Sequence, residues 1–185
     1  MELADFALAQ LMAPPAPVRV AGDEELVERL RAAGYEPRSR PPVAATVALG
    51  TPPLAELEHA LDEVVAGLAP GGVFVLEALA WDLLDEAGAE WLHGQLRLLA
   101  AAGRGSSLPA TLAAFWADWR QRHASLPTQE QLRAALARRF RERALVWVPA
   151  LWRELGGSSS AALERTLVEA GMIRPLGLRF AGVRR

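Results

Sequence analysis

Two short apolar runs, "VAATVALG" at residues 43 to 50 and "VFVLEAL" at residues 73 to 79, flank one stretch of helical periodicity. Nothing else in the chain constrains its fold as much. Each run is bounded by proline or glycine, and the second is rich in β-branched and aromatic side chains, so both read as strands. Between them "PLAELEHALDEVVAGL" places Leu54, Leu57, Leu61, Val64, Val65 and Leu68 at helical spacing, and "PGG" ends the helix. Strand, helix and strand in close succession predict a parallel pair joined by a right-handed crossover. "VFVLEAL" is apolar on both faces, as a strand covered by helices on both sides should be. The fold class is therefore α/β.

The remaining segments extend this pattern. A helix over roughly residues 3 to 12 stops at "APPAPV", whose prolines cannot continue it. "VRVAG" reads as a short strand, and "DEELVERLRAAG" as a helix with Leu26, Leu30 and Ala33 on one face, acids in its first turn and Gly34 as its stop. "YEPRSRPP" is at most a short extended piece. From Trp81 to about Arg143 the periodicity is helical, interrupted by a loop at "AAGRGSSLPA". Within it Thr128 and Gln131 have capping-box spacing, and Leu132, Leu136 and Phe140 form a stripe. "ALVWVPALWREL" is open between a strand and a helix start, with Trp147, Pro149 and Trp152 as a candidate partner surface, and "GGSSS" is a flexible cap. "SAALERTLVEAG" is an amphipathic helix with Leu163, Leu167 and Val168 inward and Gly171 as its stop. In "MIRPLGLRFAGVRR", Leu176, Leu178 and Phe180 alternate with Gly177 and Arg179, which predicts a terminal strand or tight hairpin.

Composition closes several function classes. A chain of 185 residues suits one domain. No apolar run approaches the eighteen or so residues of a membrane span. Glu2 and Asp5 stand where a secretory signal would be basic, so the expected compartment is the cytoplasm. There is no cysteine, hence no disulfide, thiolate nucleophile or cysteine metal site. Twenty basic against 22 acidic side chains leave a formal charge of −2, which gives no reason to expect nucleic acid as a partner. The arginine-rich "RAALARRFRER" reads as a solvated helix face. No nucleophile elbow or phosphate-binding loop is present. Glu56 with His59 and Glu90 with His93 have the Glu-x-x-His spacing of di-iron bundles, but a strand separates them, and solvent-facing histidines with no metal are expected.

Two stretches resemble a known family. "LEHALDEVVAGLAPGGVFVLEAL" is similar to the helix, "L-x-P-G-G" turn and fifth strand of class I S-adenosylmethionine-dependent methyltransferases, and "ALERTLVEAGMIRPLGLRFAGVR" to their last helix and terminal antiparallel strands. The intervening "FWADWRQRHASLPTQEQLRAALARRFRERALVWVPALWREL" resembles the helical lid of small-molecule members. The resemblance covers residues 43 to 185. It implies a truncated, Rossmann-like, mostly parallel sheet with flanking helices, a helical insertion and an antiparallel C-terminal strand. Within a single domain, 13–80 would form a shortened cofactor side, 81–143 the insertion or lid, and 144–185 the C-terminal helix and strands.

The same resemblance implies methyl transfer from S-adenosylmethionine to a small molecule, with cofactor near Gly22 and Gly50. Trp116 and Trp119 would line an aromatic acceptor pocket, with Glu77 at a strand end where open α/β sheets place ligands. For an oxygen acceptor His93 and His123 are the candidate bases. Three departures point elsewhere. Only Gly22 matches the family's glycine-rich loop, with Asp23, Glu24 and Glu25 where further glycines would be. The acid that binds the cofactor ribose has no counterpart, since Glu36 comes too early and Arg38 and Arg40 occupy the strand end. The interval from "VRVAG" to "VAATVALG" is short for two sheet steps, each of roughly 30 residues or more. The alternative is a non-catalytic relative that binds a partner, as a homo- or hetero-oligomer, or another ligand.

Overall fold

The computed structural model describes residues 2–104, 108–156 and 158–185. In chain order the elements are α1 (Leu3–Leu8), β1 (Pro17–Ala21), α2 (Glu24–Ala32), β2 (Glu36–Pro37), β3 (Val43–Leu49), α3 (Leu57–Gly67), β4 (Leu68–Leu79), α4 (Glu86–Ala101), α5 (Leu112–His123), α6 (Gln129–Arg139), β5 (Phe140–Val148), α7 (Ala161–Glu169) and β6 (Gly177–Arg184). They sort into two compact units. The first comprises residues up to Ala78, Glu130–Val146 and Leu178–Arg185; the second comprises Leu79–Gln129 and Trp147–Gly177.

The first unit is built on a six-stranded sheet of order β2-β1-β3-β4-β6-β5. β1 pairs in parallel with β2 and β3, and β3 pairs in parallel with β4. At the N-terminal end of β4, the Leu68 carbonyl accepts from the Arg184 guanidinium at the end of β6; at its other end Glu77 meets Arg179, so β6 runs antiparallel to β4. Strand periodicity sorts the side chains between two layers. Val18, Val47 and Val75 pack with Leu3 and Phe6 of α1 and Leu26 and Leu30 of α2. Phe74, Leu76, Leu178 and Phe180 turn to the other face, against Leu57 and Leu61 of α3 and Leu132 and Leu136 of α6. The α/β class and the antiparallel last strand stand as the resemblance implied. Between β1 and β3 the chain has one helix, α2, and the two-residue β2.

Several local expectations are corrected. The first helix stops at Leu8, short of residue 12. The "PGG" turn lies inside a long strand: β3 advances from Val43 to Ala45 while β4 advances from Leu68 to Val73, so the surplus residues form an irregular bulge. A Cβ on Gly72 would lie 2.8 Å from the Ala69 carbonyl oxygen and 3.1 Å from that of Ala44, so the bulge requires a residue without one. Leu68 opens this strand instead of closing the helix, and Leu54 is exposed in a short 3-10 turn. Phe140 begins β5 and does not extend the α6 stripe; its ring packs 5.2 Å from Phe74. The ambiguous "ALVWVPALWREL" divides into the end of β5 and a 3-10 turn at Leu151–Leu155. Of the two alternatives for the C-terminal segment, the terminal strand is the one that forms, as expected.

The second unit is mainly helical. Its core joins Leu84, Ala89 and Leu92 to Phe115, Trp119, Leu151 and Leu176. Asp85 and Thr111 cap α4 and α5 by accepting from Gly88 N at 2.9 Å and Ala114 N at 3.2 Å. The orientation of α7 is a further correction. Leu163 is exposed, Leu167 and Val168 are half-buried, and the fully buried side chain is Glu164. Its carboxylate takes the backbone N–H groups of Ala150, Leu151 and Trp152, and these bonds outweigh burial of one leucine face. The expected loop at "AAGRGSSLPA" includes 105–107, and the expected cap at "GGSSS" includes 157, all outside the described residues.

Candidate functional site

The strand-end candidates belong to the first unit. β1 ends at Ala21 and α2 begins at Glu24, so the connection is Gly22 and Asp23 alone. Asp23 is the α2 N-cap, its Oδ1 accepting from Leu26 N at 2.9 Å, and Glu24 and Glu25 follow, exposed, in the first turn. A Cβ on Gly22 would lie 3.0 Å from Leu26 Cδ2 and 3.5 Å from Leu49 Cβ. Leu26 and Leu49 thus come close to Gly22, and the Leu26 N–H, one of those at this helix start that could meet an anionic ligand, is taken by the protein's own Asp23 carboxylate.

Gly50 follows β3 with φ of 88°, and no atom lies within 4 Å of where its Cβ would be. Its N–H donates to the Glu77 carbonyl oxygen at 2.8 Å, which joins these two candidates through the backbone. The Glu77 side chain is 2 % exposed, and its Oε2 accepts from Arg179 Nε at 2.5 Å; Arg179 is buried as well. This ion pair holds Glu77 inside the sheet. Glu36 lies in β2, exposed and paired with Arg38.

His93, His123, Trp116 and Trp119 belong to the second unit, and here packing accounts for most of the polar atoms. His93 on α4 is buried with Nε2 2.9 Å from the Pro109 carbonyl oxygen, and its ring stacks 5.2 Å from Phe115. His123, at the end of α5, is also buried; Nδ1 lies 2.8 Å from the Trp119 carbonyl oxygen and the ring is 4.0 Å from that of Trp119. A carbonyl can only accept, so the bonded nitrogen carries the proton in each ring. Trp119 is fully buried and donates Nε1–H to the Trp81 carbonyl at 3.0 Å, while Trp81 donates to the Pro127 carbonyl at 3.1 Å. Trp116 is half-buried beneath the Arg120 guanidinium, 5.3 Å from the ring centroid. His123 and Trp119 are brought together in the core, their rings tilted by 38°. The expectation of solvent-facing histidines holds for exposed His59, 3.5 Å from Glu63, and fails for His93. Among the described residues no group of three or more His, Asp or Glu converges to hold a metal, and no helix is long and apolar enough to cross a membrane.

Two residues that shape these sites had little signal in the sequence. Arg179 alternates with Leu178 and Phe180, which marks it as outward-facing on a one-sided strand; β6 is covered on both faces and needs Glu77 as its counter-charge. Leu26 reads as a core residue of α2, and its closeness to Gly22 follows from the shortness of the preceding turn.

No family model matches the sequence, and no curated protein matches it. Solved structures do match in fold. The chain is similar to the cyclopropane synthase MmaA2 from Mycobacterium tuberculosis at 14 % identity and a TM-score of 0.52, over 98 % of this chain and 82 % of that one. It is similar to a geranyl diphosphate methyltransferase in complex with S-adenosylmethionine at 13 % identity and 0.51, over 98 % and 84 %. It also matches geranyl diphosphate C-methyltransferase from Streptomyces coelicolor A3(2) at 10 % identity and 0.50, over 98 % and 78 %. The fold is that of the class I S-adenosylmethionine-dependent methyltransferases.

Proposed function

We propose that this protein is a non-catalytic methyltransferase-fold chain that acts as a binding or partner subunit. One observation carries the reading: the β1–α2 connection is two residues long and its helix N-terminus is capped by Asp23, with Glu24 and Glu25 beside it. Three carboxylates at that helix start oppose the carboxylate of an S-adenosylmethionine amino-acid end, and Leu26 comes close to the one glycine of the loop. The residues present do not fit the cofactor at this turn. A second reading, methyl transfer from S-adenosylmethionine to a small molecule, is favoured by the open space in front of exposed Gly50 at a strand end.

Calorimetric titration with S-adenosylhomocysteine to about 1 mM, paired with thermal unfolding, separates the two. A ligand at about 100 times its Kd stabilises by roughly 2.7 kcal/mol, so micromolar binding would raise the melting temperature visibly. The expected result is no saturable heat and no rise in a cooperative transition. Saturable micromolar binding would overturn the non-catalytic reading and make the methyl acceptor the next question.

A further inference from the structure

Glu164 sets the rotation of α7. Its fully buried carboxylate accepts the N–H groups of Ala150, Leu151 and Trp152 at 2.8, 3.0 and 2.7 Å, so the helix cannot roll without breaking three charge-assisted bonds. With roughly 100° between successive residues, Ala162, Leu163, Thr166 and Ala170 then lie on the side turned away from this anchor. All four are exposed, Leu163 at 46 %, and Met172, just beyond the Gly171 stop, is 63 % exposed.

Along one border of the same face lie Arg165 and Glu169, both exposed, and neither pairs with a described residue. Arginine four residues before glutamate is the less favourable order for a pair within one helix. It suits a pair between two antiparallel copies. If two α7 helices cross antiparallel with the two-fold axis at Leu167, Arg165 meets Glu169 of the partner subunit and Glu169 meets Arg165 of the partner subunit. In that register Leu163 lies over Gly171 of the partner subunit and Met172 over Ala162 of the partner subunit. One arrangement therefore satisfies the charges and covers both exposed apolar side chains, while Ala162, Thr166 and Ala170 are small enough for close approach.

We propose that the outward face of α7 is a two-fold interface with a second copy of this chain. A single short helix and Met172 make a small contact, at the weak end of specific interfaces.

Sedimentation velocity of the full chain from about 5 to about 500 µM spans the range in which such a contact operates. The expected result is a concentration-dependent shift from monomer toward dimer, absent in Leu163→Asp. Arg165→Glu and Glu169→Arg should each weaken association roughly fivefold or more, and the double swap should restore it to within about twofold, since only the cross-pair is re-formed. A chain that stays monomeric throughout would overturn the proposal. So would association unaffected by Leu163→Asp, or a double swap no better than the single changes. All these side chains are exposed, and circular dichroism melting checks that each variant is folded; if Leu163→Asp does not fold, the charge-swap set decides alone.

Discussion

Glu77 and Arg179 face each other inside the sheet, 2.5 Å apart and both buried. An ion pair in that setting contributes little net stability over an apolar pair of similar size, yet removing one partner strands a buried charge and costs about 3–5 kcal/mol. Glu77→Ala and Arg179→Ala are each expected to lose stability on that scale in urea unfolding. The Glu77→Met, Arg179→Met double variant should lose far less than the sum of the two single losses. Equal, additive losses would mean that the pair is not coupled. The acid at the end of "VFVLEAL" was visible in the sequence as a strand-end carboxylate, the kind of group that meets ligands. Its engagement with Arg179 was not, because the two lie 102 residues apart and only pairing of β4 with β6 brings them together. The two buried histidines carry the same lesson. A periodic helix marks His93 and His123 as helical, but which ring nitrogen meets a carbonyl depends on how the neighbouring chain is packed.

At the level of elements, α3 and α6 are tied by charge at the surface as well as by their leucines. Arg139 hydrogen-bonds Asp62 and pairs with Glu58 at 2.8 Å each, and Arg138 also pairs with Glu58. The Arg139 guanidinium holds both carboxyls below the usual carboxylate range, and they in turn raise its own pKa. A folded-state pKa below the unfolded value stabilises the fold above the unfolded pKa, about 4, and that contribution is lost as pH falls through the lower folded value. Arg139→Gln should therefore lower the melting temperature at neutral pH, with the wild-type and variant curves converging as pH drops from about 5 to about 2. Salt should shrink the neutral-pH difference, since these carboxylates are exposed. Curves that stay parallel down to acid would exclude this linkage. The arginines of "RAALARRFRER" were expected on a solvated face. Arg133 and Arg138 are indeed exposed on α6, but Arg141 and Arg143 are exposed on β5 and not on a helix, while Arg139 is half-buried and serves as a strap between two helices.

For the molecule as a whole, burial predicts where the structure opens last. In β4 the residues from Val73 to Ala78, and in β6 those from Gly177 to Val183, are buried without interruption, whereas β2 is two residues long and partly exposed. Native-state hydrogen exchange should find its slowest amides in β3, β4 and β6, and fast exchange around Glu36 and Pro53–Glu56. Uniform protection across all strands would contradict a sheet whose stability is graded toward its centre.

What local pattern dictates was legible before any coordinates. Strand-helix-strand succession, apolar runs of the right length and glycine or proline stops led to an α/β fold with a parallel strand pair, because backbone periodicity and turn chemistry are properties of neighbouring residues; the antiparallel course of the last strand was implied only by the family resemblance. The absence of a glycine-rich loop after "VRVAG" was equally plain, and the two-residue turn at Gly22 and Asp23 has the same cause. Three features needed the folded chain: the bulge that draws "PGG" into β4, the pairing of Glu77 with Arg179, and the inversion of α7 that buries Glu164 and exposes Leu163. Each is decided by a partner distant in sequence. A carboxylate can be buried only where backbone N–H groups or a counter-charge meet it, whereas a leucine needs only cover, and only tertiary structure determines which side chains receive such partners.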